Sequence, residues 1–453
     1  MHVFGSSGVR GVAGEELTTQ DVMGVAQAAG SVWAPDTDRV AVARDTRTTG
    51  RTFANAAASG LTGLGFDVDR LGIAPTPALQ AYCEREGVPG LMVTASHNPP
   101  MYNGIKLVGS DGVELNRETL DRVESALADR PRYATWDHVG TDRRVERARR
   151  RYRDGVLESV DRDSIADAEL TVVVDPGHGA GSLVSPDLFR ELGCRVHTVN
   201  AQPDGHFPGR NPEPVAANLG DLRAYVAATE ADLGIAHDGD GDRAMFVDGA
   251  GEHVDGSAML AALAAAELEA GDGVVSAVNA SQRLVDVVDA AGATLSLTPI
   301  GSTYIVSRIR ELQAAGTHVA IAGEGNGGIL FPDYRIARDG AYTAARVCEL
   351  LAETPARELV APYDAYYNVQ RNLEVTDEAT REAMLAGIED HAGRASADLD
   401  TTDGYRLDYG DGWVLARPSG TEPVVRVYAE ARDPERAEAL ADQMVRAAET
   451  GEL

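Results

Sequence analysis

Short apolar runs rich in valine and isoleucine alternate with alanine-rich stretches along the whole chain, and this alternation limits the available folds most strongly. Segments 39–45 (RVAVARD), 170–177 (LTVVVDPG) and 273–279 (GVVSAVN) read as buried strands. Segments 54–65 (ANAAASGLTGLG) and 258–270 (AMLAALAAAELEA) read as helices. Strand and helix in alternation predict βαβ units around mixed, mostly parallel sheets.

The pattern also repeats. Each of the three strands is followed by a second strand that runs into a polar loop: 90–100 (GLMVTASHNPP), 233–243 (LGIAHDGDGDR) and 319–328 (VAIAGEGNGG). We therefore expect three related α/β domains, each offering one loop at the carboxyl end of a strand, where α/β folds place function. The last hundred residues differ. Segment 412–431 reads as two strands around a turn, followed by a helix over 433–449, so the C-terminal domain is a smaller α+β unit. Linkers near 143–155, Gly251 and Ala361 give expected domains at 1–149, 150–251, 252–361 and 362–453.

With 453 residues the chain is too long for one core. Its net charge of −30 opposes binding to nucleic acid or to an anionic membrane surface. Apolar residues make up 43% of the chain, which favours a folded core over acidic disorder. The acidity, with arginine used almost to the exclusion of lysine, reads as adaptation to high salt, which screens self-repulsion. No stretch is apolar enough to span a membrane, and the start, MHVFGSSGVRG, lacks the features of a secretory signal. Cys83, Cys194 and Cys348 are scattered, which suits a reducing cytoplasm.

Four loops carry chemistry. In HDGDGDR, Asp238, Asp240 and Asp242 alternate with glycines that let the loop curl until the carboxylates converge. Oxygen-only ligands select a hard cation such as Mg²⁺. An EF-hand is excluded, because Arg243 stands at its sixth position and Gly249 at its twelfth. The competing account is a solvated acidic turn in an acidic protein. In TASHNP, Ser96 precedes His97. A serine hydrolase is rejected because no G-x-S-x-G elbow is present and because neighbours in sequence are expected to point apart. A serine beside histidine, asparagine and lysine suits a carried phosphoryl group, against the alternative of an ordinary loop serine. In ARPSGTEP, Arg417, a Ser-Gly-Thr turn and Arg426 fit a phosphate dianion or, equally, a structural hairpin. In AGEGNGG, Glu324 and Asn326 are natural partners for sugar hydroxyls, in a glycine-rich turn of a common kind. The run VVVDPGHGAGS mimics a dinucleotide fingerprint, but its spacing is G-x-G-x-G, so His178 and His206 are expected to be structural or peripheral.

Taken together, FGSSGVRG (4–11), TASHNP (94–99), DGDGDR (238–243), GEGNGG (323–328) and RPSGTEP (417–423) resemble the α-D-phosphohexomutase superfamily in content, order and spacing, over essentially the whole chain. The resemblance implies four domains in a heart-like arrangement, the last closing over the substrate. It implies Ser96 as the phosphoserine, with Asp238, Asp240 and Asp242 binding Mg²⁺ and a Ser96 oxygen completing the set. Arg243 would hold the phosphoserine or the substrate, and Arg10 would line the cleft. Glu324 and Asn326 would contact the sugar. Arg417, Ser419, Gly420, Thr421 and Arg426 would bind the phosphate that is not being transferred. A trace of sugar bisphosphate is the implied activator, and a monomer or homodimer the implied assembly.

Lys106 is the one lysine among 41 basic residues. It resembles the family lysine in N-G-x-K that is proposed to move protons, a task closed to arginine. On this reading nearby cations lower its pKa, and His97 is a second candidate for proton transfer. The loop form G-E-G-N-G and Pro299 in TPIGSTY resemble the archaeal phosphoglucosamine-mutase branch most closely. Glucose, mannose or pentose phosphates are the alternative substrates. A hydrolase using the same groups, or a non-catalytic sugar-phosphate-binding protein, are the alternatives outside the mutases.

Overall fold

The computed structural model describes Phe4, residues 8–419 and residues 423–450. The first sheet holds β1 (Val9–Val12), β2 (Arg39–Arg44), β3 (Asp67–Ile73), β4 (Gly90–Val93), β5 (Tyr102–Val108) and β6 (Asp142–Arg144), in the order β1-β5-β4-β2-β3-β6. Helices α1 (Thr19–Trp33), α2 (Gly50–Gly63), α3 (Thr76–Glu86) and α4 (Arg117–Ala126) connect its strands. The sheet is parallel from β4 through β2 and β3 to β6, and antiparallel from β4 through β5 to β1.

The second sheet repeats this plan. Its strands are β7 (Thr171–Asp175), β8 (Arg195–Thr198), β9 (Leu233–His237), β10 (Ala244–Asp248) and β11 (His253–Val254), in the order β11-β10-β9-β7-β8. Pairing is again parallel on the β8 side and antiparallel beyond β9. Helix α5 (Ala148–Glu158) precedes it, so the arginine-rich stretch expected as a linker is largely helical. A third parallel set follows: β12 (Gly273–Ala277) pairs with β13 (Thr294–Thr298) and β14 (Val319–Glu324). The chain then enters an antiparallel pair, β15 (Gly328–Phe331) and β16 (Arg335–Arg338). In all three cases the functional loop joins the last parallel strand to the first antiparallel one. Strands β7, β9, β10, β12 and β14 are buried along their whole length, which accounts for their unbroken apolar sequences.

The final sheet is antiparallel: β17 (Tyr367–Glu374), β18 (Asp398–Asp400), β19 (Tyr405–Asp408), β20 (Gly412–Pro418) and β21 (Val424–Ala431), in the order β17-β21-β20-β19-β18. Val425, Val427, Leu407, Leu440 and Met444 form part of its core. By internal contacts the chain divides into two compact units, Met1–Gly256 with Asn326–Leu359, and Ser257–Gly325 with Val360–Leu453.

Candidate active site

The first unit brings the serine loop and the aspartate loop together. Ser96 follows β4 with φ at 50°, and its side chain is buried. Its amide donates to Thr94 Oγ1 at 2.8 Å, and Thr94 Oγ1 donates to Asp45 Oδ2 at 2.7 Å. Arg47, fully buried, pairs with Asp45 at 3.1 Å. Its guanidinium also donates to the carbonyls of Ser96, Asn98, Pro99 and Tyr102 at 2.6–2.9 Å. One side chain thus satisfies four carbonyls of a loop that has little regular structure to do so.

The aspartate loop is held in the same way. Arg210 pairs with Asp175 at the end of β7 at 2.9 Å and donates to His237 O at 2.7 Å. The two loops meet at Gly239, where an added Cβ would lie 2.6 Å from Ser96 O, so only glycine fits. Ser96 Oγ donates to Asp238 Oδ2 at 2.6 Å. Carboxylate oxygens of Asp238, Asp240 and Asp242 all lie within 4.8 Å of one another, and all three side chains are buried.

Burial raises the Asp238 carboxyl well above the ordinary carboxylate range, and the charges of Asp240 and Asp242 raise it further. Burial opposes ionisation of Asp240 too, but Lys106 outweighs it and holds that carboxyl low. Asp240 Oδ1 and Asp242 Oδ1 are buried with no hydrogen-bond partner. Three converging carboxylates, one of them electrostatically strained, and two orphaned oxygens fit a hard divalent cation.

Lys106 lies on β5, where Ile105 and Leu107 point into the core on the opposite face. Its Nζ is 2.8 Å from Asp240 Oδ2 and 2.7 Å from Asp242 Oδ2. Here the expectation of a lowered pKa is corrected. Burial does act to lower it, but the two carboxylates outweigh burial and raise the ammonium above its ordinary value. His97 supplies a second correction: its Nδ1 lies 3.3 Å from Ser96 Oγ, because the left-handed backbone of Ser96 turns the two side chains toward each other. Burial, then Arg243 and Arg10, keep that imidazole neutral.

Arg10, on β1, donates to Asn98 Oδ1 at 2.7 Å. Arg243 is mostly buried, its amide donates to Asp238 Oδ1 at 3.3 Å, and its Nε has no hydrogen-bond partner. An orphaned guanidinium donor beside Ser96 and the triad suits a phosphoryl oxygen. Asn326 belongs to the same unit, and its Oδ1 accepts from Gly328 N at 3.0 Å, which spends that oxygen on the shape of the loop.

Sequence reasoning missed Arg338 at the end of β16, which donates to Asp242 Oδ2 at 2.8 Å, and Thr76 at the start of α3, whose hydroxyl donates to Asp240 Oδ2 at 2.5 Å. It also missed Arg47 and Arg210. The available signal was position, since Arg47 and Arg338 both stand at or just beyond the end of a strand.

The remaining candidates lie in the second unit. Glu324 ends β14 and is mostly buried. Arg417 and Arg426 stand directly opposite each other on β20 and β21. Like charges in that register repel, which favours an anion between them. Asp403 pairs with Arg417 at 2.9 Å. Ser419 N donates to Val424 O at 2.9 Å. Gly420 and Thr421 lie outside the described residues.

The dinucleotide-like run forms a short 3₁₀ turn, Ala180–Leu183. His178 serves structure there, its ring contacting Gln202 O and Gly209 N, and His206 is exposed beside Asp204. Among the described residues no helix is long and apolar enough to cross a membrane.

Residues 1–133, 150–251 and 255–366 match alpha/beta/alpha domains I, II and III of the phosphoglucomutase/phosphomannomutase family, and residues 371–447 match its C-terminal domain. A Thermococcus kodakarensis protein named phosphoglucomutase/phosphomannomutase is 40% identical over 446 residues, covering 96% of each chain. A Methanopyrus kandleri protein named probable phosphoglucosamine mutase is 40% identical over 447 residues, covering 98% of this chain and 96% of the relative. The crystal structure of a Burkholderia thailandensis phosphoglucomutase/phosphomannomutase family protein superposes with a TM-score of 0.87 at 28% identity, covering 100% of this chain and 98% of that one. The chain belongs to the phosphoglucomutase/phosphomannomutase family and is a phosphohexomutase.

Proposed function

We propose that this enzyme interconverts glucosamine 6-phosphate and glucosamine 1-phosphate through a phosphoserine at Ser96 and a sugar bisphosphate. The observation that carries the mechanism is Ser96 Oγ, buried and 2.6 Å from a carboxylate of the aspartate triad. Asp238, Asp240 and Asp242, with a Ser96 oxygen, would hold Mg²⁺. The ion supplies charge neutralisation at the phosphoryl group, the main requirement of phosphoryl transfer.

In the first half-reaction the bond from phosphorus to Ser96 Oγ breaks as a bond to the free sugar hydroxyl forms, and that hydroxyl gives up its proton. In the second half-reaction the other phosphoryl group of the bisphosphate returns to Ser96 Oγ, and the released sugar oxygen takes a proton. Arg243 and Arg10 stabilise phosphoryl charge. His97 stands beside Ser96 Oγ, where it can position that oxygen and exchange a proton with it, but burial, Arg243 and Arg10 disfavour its charged form; Lys106 holds its own proton more tightly than a free lysine. Glu324 and Asn326 contact the sugar. Arg417, Ser419, Gly420, Thr421 and Arg426 bind whichever phosphate is not reacting.

The name of the Methanopyrus relative supports glucosamine as the sugar. The name of the Thermococcus relative favours glucose or mannose phosphates as the second reading. The test is a panel of glucosamine, glucose, mannose and ribose phosphates with Mg²⁺ and a trace of bisphosphate in high KCl, followed by NMR. Preference for glucosamine phosphate is expected. Preference for another hexose phosphate would leave the mechanism standing and reject the substrate.

A further inference from the structure

Asp240 and Asp242 use their two oxygens unequally. Asp240 Oδ2 accepts from Thr76 Oγ1 at 2.5 Å and from Lys106 Nζ at 2.8 Å, while its Oδ1 is buried without a hydrogen-bond partner. Asp242 Oδ2 accepts from Lys106 Nζ at 2.7 Å and from Arg338 Nη2 at 2.8 Å. Its Oδ1 is likewise buried without a hydrogen-bond partner, and Arg243 Nε stands 4.0 Å away. Each carboxylate is therefore pinned through one oxygen and presents the other.

The pins come from different parts of the first unit. Thr76 opens α3, and its own amide also donates to Asp240 O at 2.9 Å, so both the backbone and the side chain of Asp240 are tied to one helix start. Arg338 ends β16 and is itself mostly buried, with Glu114 Oε1 3.7 Å from its Nη2.

We propose that Thr76 and Arg338 are positioning residues that fix the ligand carboxylates of Asp240 and Asp242, and that this rigidity gives the site its preference for Mg²⁺ over the larger Ca²⁺. The inference rests on the metal reading made above. Mg²⁺ demands a short, near-ideal octahedral shell, whereas Ca²⁺ accepts longer bonds and irregular geometry. A carboxylate pinned at one oxygen cannot swing out to build the larger shell. A released one can, and outer-shell partners of this kind influence metal sites strongly.

The readout is the ratio of Ca²⁺ to Mg²⁺ dissociation constants, measured calorimetrically on the full chain. The ratio is chosen because removing the charge of Arg338 shifts both affinities in the same direction. Thr76→Val and Arg338→Met are each expected to lower the ratio about tenfold, and Thr76→Ser and Arg338→Lys to keep it near wild type. A ratio unchanged within about twofold in folded Thr76→Val protein overturns the proposal, whatever Arg338→Met does. If wild type binds neither cation, the metal reading itself fails, and the inference fails with it.

Discussion

Lys106 Nζ donates to Asp240 Oδ2 at 2.8 Å, inside a site where neither side chain is more than marginally exposed. The same ammonium reaches Asp242 at 2.7 Å. A compact charge bridging two carboxylates explains why a chain built almost wholly on arginine has a lysine here. A planar guanidinium is longer and bonds through a fixed fork, so it does not fit the same point. Lys106→Arg is expected to reduce turnover about 10- to 100-fold, as measured by NMR conversion of sugar phosphate. Activity equal to wild type would remove Lys106 from the account.

Arg47 supports a second prediction. It is buried with Asp45 and holds four carbonyls of the serine loop. Arg47→Ala leaves a buried carboxylate unpaired and is expected to cost about 3–5 kcal/mol in denaturant unfolding. Arg47→Lys keeps the charge but not the four-carbonyl geometry. It should therefore lower kcat more than it lowers stability. Equal and small effects on both would show that the loop keeps its shape without the fork.

Glu430, on β21, ties the C-terminal sheet to the start of the helix Gln282–Ala291, accepting from Ser281 Oγ at 2.8 Å and Gln282 N at 2.6 Å. Burial raises its carboxyl above the ordinary 4.5, against the pull of Gln282, Ser281 and Arg283. A carboxyl raised in the folded state keeps its proton longer there than in the unfolded chain. Ionisation therefore costs stability as pH rises from 4.5 through the raised value. Glu430→Gln cannot ionise. The stability of wild type relative to Glu430→Gln should fall across that window and then level off, in unfolding curves taken at several pH values. A difference that rises with pH would contradict this.

The charge of −30 leads to a salt prediction. Screening should relieve self-repulsion, so Tm should climb as KCl rises from about 0.1 M to about 3 M. A flat or falling Tm in calorimetry would refute the reading of the composition as adaptation to salt.

Much of this architecture could be read from residue order. The three strand–loop pairs were legible because strands buried on both faces carry unbroken apolar runs, and because the polar loops follow them directly. The aspartate triad was legible because its glycine spacing has few other uses. Arg47, Arg210, Thr76 and Arg338 were not legible, because their roles depend on contacts with residues 27 to 164 positions away. The pKa of Lys106 was misjudged for a related reason. Sequence places His97 near it but does not reveal that two carboxylates face it more closely than any cation. The contact between His97 and Ser96 depended on a left-handed backbone at Ser96, which a non-glycine residue seldom announces.

The most direct test follows the phosphate on Ser96. The protein is incubated with hexose 1,6-bisphosphate and Mg²⁺, desalted, and digested, and the peptide containing Ser96 is weighed by mass spectrometry before and after a chase with excess sugar monophosphate. The account predicts phosphate on Ser96, its loss on the chase, its recovery as sugar bisphosphate, and none of this in Ser96→Ala. An unmodified Ser96 in active enzyme, or release of the phosphate as inorganic phosphate, would contradict it.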